Sequence, residues 1–183
     1  MDVFDDIKTG LEQAIEYEKG NLEANASTRS APPSDEGKKF EFMRATEEWQ
    51  RAGAYAVRVQ GMNRAFHIPL REEFDEKDAF GTKYIVVLDD GYPMGTCRFY
   101  PVGDGVVSLG RVVILPEYRG QNLGRRMLEE AERWIKELGY TQILVNSRIP
   151  AVGFYQKLGY VKTGAPAEPN GVFECVPMSK TLL

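Results

Sequence analysis

Arg119, Gly120, Gln121, Asn122, Leu123, Gly124, Arg125 and Arg126 crowd glycine, asparagine and arginine into one short stretch. That mixture suits the holding of an anion. Upstream, Val112, Val113 and Ile114 make a β-branched run that stops at Pro116, and downstream an amphipathic helix is predicted from Asn122. A strand, a polar turn and a helix start leave the N–H groups of the first helical turn without partners. The aligned peptide dipoles add about half a positive charge there. A pyrophosphate suits such a cradle. A nucleotide-triphosphate loop needs Gly-x4-Gly-Lys-Ser/Thr, whereas Gly124 is followed by Arg125 and Arg126, with no hydroxyl for magnesium. The Gly-x-Gly-x-x-Gly spacing of a dinucleotide fold is absent too. On these residues alone, an ordinary strand–helix turn with solvated arginines stays open.

A second segment, residues 146–160, reads Asn-Ser-Arg-Ile-Pro-Ala-Val-Gly-Phe-Tyr-Gln-Lys-Leu-Gly-Tyr. Together the two segments resemble the GNAT superfamily of acyl-CoA-dependent N-acetyltransferases. Its cofactor loop runs Arg/Gln-x-x-Gly-x-Gly/Ala, and its later segment runs Asn-x-x-Ala-x-x-Phe-Tyr-x-Lys-x-Gly-Phe/Tyr. The likeness extends over residues 55–180. Arg58 to Pro69, with the acidic Glu72 to Asp78, resembles the opening of a bacterial subgroup close to glyphosate-type acetyltransferases. The family's first loop glycine is Asn122 here. Asn is the non-glycine residue that best tolerates a left-handed backbone, so weaker cofactor binding is expected rather than its loss.

The resemblance implies an enzyme that transfers an acetyl group from acetyl-CoA to the amine of a small molecule in a ternary complex, releasing CoA. A backbone N–H of the long strand would face the thioester carbonyl. Val113, Ile114 and Leu115 would run beside pantetheine, and Asn146 would bond its amide. Arg119, Gly120, Gln121, Asn122, Leu123, Gly124, Arg125 and Arg126 would hold the pyrophosphate. Tyr155 stands at the family's leaving-group acid and at a cofactor-contacting position. A phenol can protonate a departing thiolate of similar basicity. As a plain residue, Tyr155 is equally a packed aromatic beside Phe154. Lys157 is expected to be a solvated charge. A non-catalytic acyl-CoA-binding regulatory module and a protein N-acetyltransferase are the alternatives.

The subgroup's base is a histidine on the final strand, and Cys175 stands in its place within Glu174-Cys175-Val176-Pro177-Met178. The chain's single histidine, His67, is expected on a surface loop. Glu174, Cys175 and Glu168 are the remaining proton-transfer candidates. Strand alternation lets just one of Glu174 and Cys175 face a cleft. A buried carboxylate can have its pKa raised and serve as a base; Cys175 reads first as a small apolar core residue. Arg58, Arg111 and Arg148 are the candidate substrate residues, and Arg98 belongs with them, because Arg grips carboxylate or phosphonate bidentately. The resemblance puts Arg111 and Arg148 where the subgroup holds acidic groups. Glu72, Glu73, Asp75, Glu76 and Asp78 are expected to form a solvated loop. The two cysteines, Cys97 and Cys175, have no metal-ligand spacing, and no metal is expected.

These residues need a scaffold. The chain has 183 residues, 43% hydrophobic and 27% charged, which suits one globular domain. A net charge of −4 gives no electrostatic case for nucleic acid. No apolar run approaches the ~20 residues of a membrane span. The acidic start Met-Asp-Val-Phe-Asp-Asp is unlike a signal peptide. Free thiols in a reducing cytoplasm are therefore expected. Phe4, Ile7, Leu11 and Ile15 share one stripe of a helix over 3–18, giving an appended element at 1–19. Residues 20–38 read as a linker and 39–183 as the main domain.

Within the domain, strands are predicted at Phe40–Phe42, Tyr84–Leu88, Met94–Tyr100, Val106–Leu115, Ile143–Val145, Tyr160–Lys162 and Phe173–Met178. Asp89-Asp90-Gly91 reads as a hairpin turn. Helices are predicted at Thr46–Met62, Asn122–Leu138 and Pro150–Leu158, with Thr46 as a cap, Gly139 as a stop and Pro150 at a first position. The class is α+β with a mixed, mostly antiparallel sheet. The resemblance implies helices on both faces and a sheet that splays at its centre after the long strand. Pairing of two copies, through the sheet edge or the appended helix, stays open.

Overall fold

The domain is built on an eight-stranded sheet. In a computed structural model of the chain, residues 40–79 and 81–182 are described; the helix expected at 3–18 and the linker at 20–38 lie outside them. The strands are β1 (Phe40–Arg44), β2 (Lys83–Asp89), β3 (Tyr92–Gly103), β4 (Val106–Ile114), β5 (Gln142–Arg148), β6 (Val161–Lys162), β7 (Glu168–Asn170) and β8 (Phe173–Thr181). Their order is β1-β2-β3-β4-β5-β8-β6, with β7 also paired to β8. Every pair is antiparallel except β4 with β5. Asp90 and Gly91 join β2 to β3, both at positive φ (50° and 79°), the twist that suits a two-residue hairpin. The sequence missed β7, three residues with no apolar alternation.

The helices are α1 (Glu48–Arg58), α2 (Leu70–Glu73), α3 (Leu123–Glu137) and α4 (Val152–Lys157). α1 runs on through a π-helical segment, Val59–Arg64. Its N-cap is Glu47, not Thr46: Gln50 Oε1 reaches back to accept from the N–H groups of Thr46 (2.7 Å) and Glu47 (2.9 Å). Across β2 and β3, Tyr84 stands opposite Arg98 and Lys83 opposite Phe99, so these two pairs point to opposite faces. Tyr55 of α1 packs edge-on against Tyr84 at 5.5 Å, and Trp134 of α3 packs edge-on against Phe99 at 5.3 Å. The helices therefore cover both faces, and the core between them includes Val57, Ile85, Leu109, Met127, Leu128 and Ile135. Among the described residues, no helix is long and apolar enough to cross a membrane.

Two irregularities of β4 shape the molecule. Thr96 pairs with Val113 and Arg98 with Gly110, so β4 carries one extra residue between them, a bulge in which Arg111 takes φ 50°. β4 also pairs with β5 just over Val106–Ser108 and Gln142–Leu144, although both strands run further. Beyond those pairs the parallel strands part, and one edge of β4 is left open.

Candidate active site

The parted strands open a groove of about 670 Å³. Val112, Val113 and Ile114 line it on one side, Pro150, Ala151, Phe154 and Tyr155 on another, and the start of α3 closes one end. Asn122 precedes α3 in the left-handed conformation (φ 59°) and gives no side-chain cap. The first backbone bond into α3 runs from Arg126 N–H to the Asn122 carbonyl (3.2 Å). The amides of Leu123, Gly124 and Arg125 thus precede the helical ladder. No acid stands in that first turn, while Arg125 and Arg126 do. An uncapped helix start with cations in its first turn opposes its own dipole, and a bound anion relieves that opposition. The residues present therefore fit a diphosphate. Arg119, Gly120, Asn122, Leu123, Gly124 and Arg125 line this end. Arg119 Nε also ties the turn to the Ile114 carbonyl (3.0 Å).

A second cavity of about 290 Å³ adjoins the groove. Tyr155, Arg148, Met62, Val112 and Ala151 line both. The smaller cavity adds Glu72, Glu73, Asp75, Arg111, Asn146 and Cys175, with Asn170–Phe173 from the β7–β8 turn. Tyr155 is 6% exposed, and its hydroxyl makes no hydrogen bond among the described residues. Burial, then the neighbouring Cys97 and Cys175 thiols, push its hydroxyl above the ordinary phenol value. The phenol therefore stays protonated and able to donate. Arg148 lies over the rings of Phe66 (4.8 Å) and Phe173 (4.4 Å) and has no carboxylate partner among the described residues. Phe66 and Phe173 meet edge-on at 4.9 Å, so the stack joins the end of the first helix to the β7–β8 turn beside both cavities.

The acidic run is solvated only in part: Glu72 and Glu76 are exposed, whereas Glu73, Asp75 and Asp78 are taken up by arginines. Glu73 is 1% exposed and Arg58 0%. Glu73 Oε1 accepts from Arg58 Nε (2.7 Å) and pairs with Arg111 Nε at 3.0 Å. Asp78 accepts from Arg58 and from the Tyr84 hydroxyl, and it pairs with Arg98; Asp75 accepts from Arg98 (3.1 Å). Burial pushes the Asp78 carboxyl up, but Arg58, Arg98 and the Tyr84 hydroxyl outweigh it and hold it well below the ordinary carboxylate range. Burial also opposes ionisation of Asp75, and Arg98 again prevails. Three arginines and three acids thus clamp the 73–78 segment onto the sheet. Arg58, expected to meet substrate, is wholly internal and lines neither cavity. Arg98 is spent in the same clamp. Arg111 lines the smaller cavity but is already paired.

Other expected residues divide by strand parity and packing. Cys175 is buried and lines the smaller cavity, and burial pushes its thiol up. Glu174 is exposed, as is Glu168, and neither lines a cavity. Alternation turned the cysteine inward and the glutamate outward. Asn146 lines the smaller cavity and not the groove. Leu115 is a core residue, Gln121 stands outside the groove lining, and Arg126 lies over the Phe42 ring at 4.5 Å. His67 and Lys157 are exposed and line neither cavity. Both cysteines are free thiols. The sequence reading missed Gly61, Met62, Phe66 and Phe173 as lining residues. A glycine inside a helical pattern was the visible signal for the first.

Comparison with known proteins follows the same outline. Residues 38–160 match the model of the acetyltransferase (GNAT) family. An uncharacterised acetyltransferase of Streptococcus pyogenes serotype M1 is 31% identical over 114 residues, covering 62% of this chain and 80% of that protein. A Lactobacillus plantarum crystal structure, provisionally named an N-acetyltransferase, superposes with a TM-score of 0.73 at 33% identity, covering 79% of this chain and 99% of that one. The PaiA N-acetyltransferase of Thermoplasma acidophilum, solved with coenzyme A, shares the fold with a TM-score of 0.60 at 15% identity, over 79% of this chain and 99% of that one.

Proposed function

The chain belongs to the acetyltransferase (GNAT) family, and on that premise we propose that it transfers an acetyl group from acetyl-CoA to the amine of a small molecule. The observation that carries this reading is the position of Tyr155. It lines both the groove that ends at the uncapped start of α3 and the smaller cavity beyond. A donor can thus lie on one side of the phenol and an acceptor on the other.

Acetyl-CoA, when bound, supplies an activated acetyl group as a thioester. The amides of Leu123, Gly124 and Arg125, with the Arg119 and Arg125 side chains, hold its diphosphate. Val113 and Ile114 would offer an open strand edge to the pantetheine arm, and a backbone N–H of β4 would meet the carbonyl oxygen. Tyr155 gives its proton to the departing sulfur. Arg148, with no carboxylate partner among the described residues, is free to meet an acidic group on the acceptor. A cavity of about 290 Å³ lies at the lower end of the range for ligand pockets, which favours a small acceptor.

The test pairs calorimetry with a thiol-release assay. Wild type binds acetyl-CoA and releases thiol with at least one amine of a broad panel. Tyr155→Phe keeps that binding and loses about a hundredfold or more in turnover. A wild-type protein that fails to bind acetyl-CoA overturns the reading.

A further inference from the structure

The family histidine is missing from the final strand, yet an ammonium must lose a proton before its nitrogen can attack. We infer that the Glu72 carboxylate of α2 holds the acceptor ammonium and receives that proton. The inference rests on the acetyltransferase reading and names the group which that reading lacks.

Three carboxylates line the smaller cavity: Glu72, Glu73 and Asp75. Glu73 is bound by Arg58 at 2.7 Å and Arg111 at 3.0 Å. Asp75 is bound by Arg98 at 3.1 Å, with Arg111 at 3.6 Å. A carboxylate engaged by guanidinium has its lone pairs in use, which leaves it a poor proton acceptor. Glu72 is exposed, and its carboxylate has no hydrogen bond or ion pair among the described residues. It borders the cavity at a point where the neighbouring acids are already neutralised.

The other titratable or charged groups that line this cavity, besides Glu73 and Asp75, are Arg111 of β4, Arg148 of β5, Tyr155 of α4 and Cys175 of β8. The two guanidinium groups accept no proton. Burial holds the phenol and the thiol in their protonated forms. The amides of Asn146 and Asn170 are not bases. His67 lines neither cavity. Glu72 is what the chemistry leaves.

The proton balance is complete with these groups. Glu72 takes one proton from the ammonium, and the freed lone pair forms the amide bond as the thioester C–S bond breaks. Tyr155 gives its proton to the departing sulfur and regains the second nitrogen proton. Glu72 returns its own proton to solvent. A carboxylate is a weaker base than an amine, so this transfer is uphill, and the small fraction of free amine it yields is what attacks.

Glu72→Gln keeps the side chain's shape and removes its capacity to take a proton. The proteinogenic L-amino acids, agmatine and spermidine serve as acceptor probes, and the best is carried through. The acetyl-CoA Kd of the variant is expected to match wild type. Its kcat/KM falls about a hundredfold, and the acidic limb of the kcat/KM–pH profile disappears. Glu72→Asp recovers part of the rate. Without acetyl-CoA present, calorimetric affinity for the same amine at neutral pH falls severalfold in Glu72→Gln. Glu76→Gln, in the same acidic run, leaves all four readouts unchanged. Wild-type turnover, acidic limb and amine affinity in Glu72→Gln overturn this inference alone. A wild-type protein that binds no acetyl-CoA overturns it together with the acetyltransferase reading.

Discussion

Gly61 marks the closest approach of helix to strand in the site. A Cβ added there would lie 2.4 Å from Val113 Cγ1, inside any allowed contact. Gly61 sits in the π-helical segment that extends α1, and it lines the groove opposite the open edge of β4. π-bulges are costly and are kept mostly where function needs them. Here the wider turn lets backbone lie directly on Val113, so the groove wall stays thin. Gly61→Ala forces the helix outward or twists Val113. The expected result is a loss of about 1–3 kcal/mol in stability from overpacking, read by urea denaturation. Weaker acetyl-CoA binding in calorimetry follows if the proposed groove assignment holds. A variant with unchanged stability would show that the helix has room the structure denies it.

At the scale of elements, the informative object is the 70–78 segment. A four-residue helix and a single turn have too few bonds to stand alone. They are held by Arg58 from α1, Arg98 from β3 and Arg111 from the β4 bulge. This is a mutual arrangement, since the same acids keep Arg58 from being a buried, unpaired charge. It also settles Arg111 in its left-handed backbone beside the amides of the bulge. The clamp predicts a pH dependence with a definite sign. Asp78 and Asp75 have folded-state pKa values held below their unfolded values. Their stabilisation is fully present above the ordinary carboxylate range, about pH 4, and is lost as pH falls through the folded values. Thermal unfolding followed from pH 7 to pH 2 should show Tm falling below about pH 4. Asp78→Asn should flatten that fall while lowering Tm at pH 7.

At the scale of the whole described domain, the sheet is paired at one end of β4 and β5 and parted at the other: the two strands pair over Val106–Ser108 and then separate. On the proposed function, coenzyme A bridges the two halves and binds the folded state alone. Linkage then gives about 2.7 kcal/mol of stabilisation at a hundred times Kd, seen as a rise in Tm that disappears when CoA is withdrawn. Much of this plan was written in the order of residues. The β-branched run before Pro116, the glycine-flanked turn, the stripe from Leu123 to Leu138 and the Asp90-Gly91 hairpin are local signals. They depend on periodicity and turn chemistry that neighbours in sequence supply, and helix and strand stand where those signals put them. The pairing of charges was not local. Arg58, Glu73 and Asp78 meet across 15 and 20 positions, so three of the four arginines read as substrate residues and three of the five acids read as a solvated loop neutralise each other. The same holds for Cys175 and Glu174, whose facing was decided by the register of β8 on β5, and for Glu72, left unpaired because its neighbours were taken. Sequence determined most of the elements and the uncapped start of α3, because both are made by contiguous backbone. Tertiary structure alone decided which charges remain free to act, because a charge is neutralised by whatever the fold brings within a few ångströms of it.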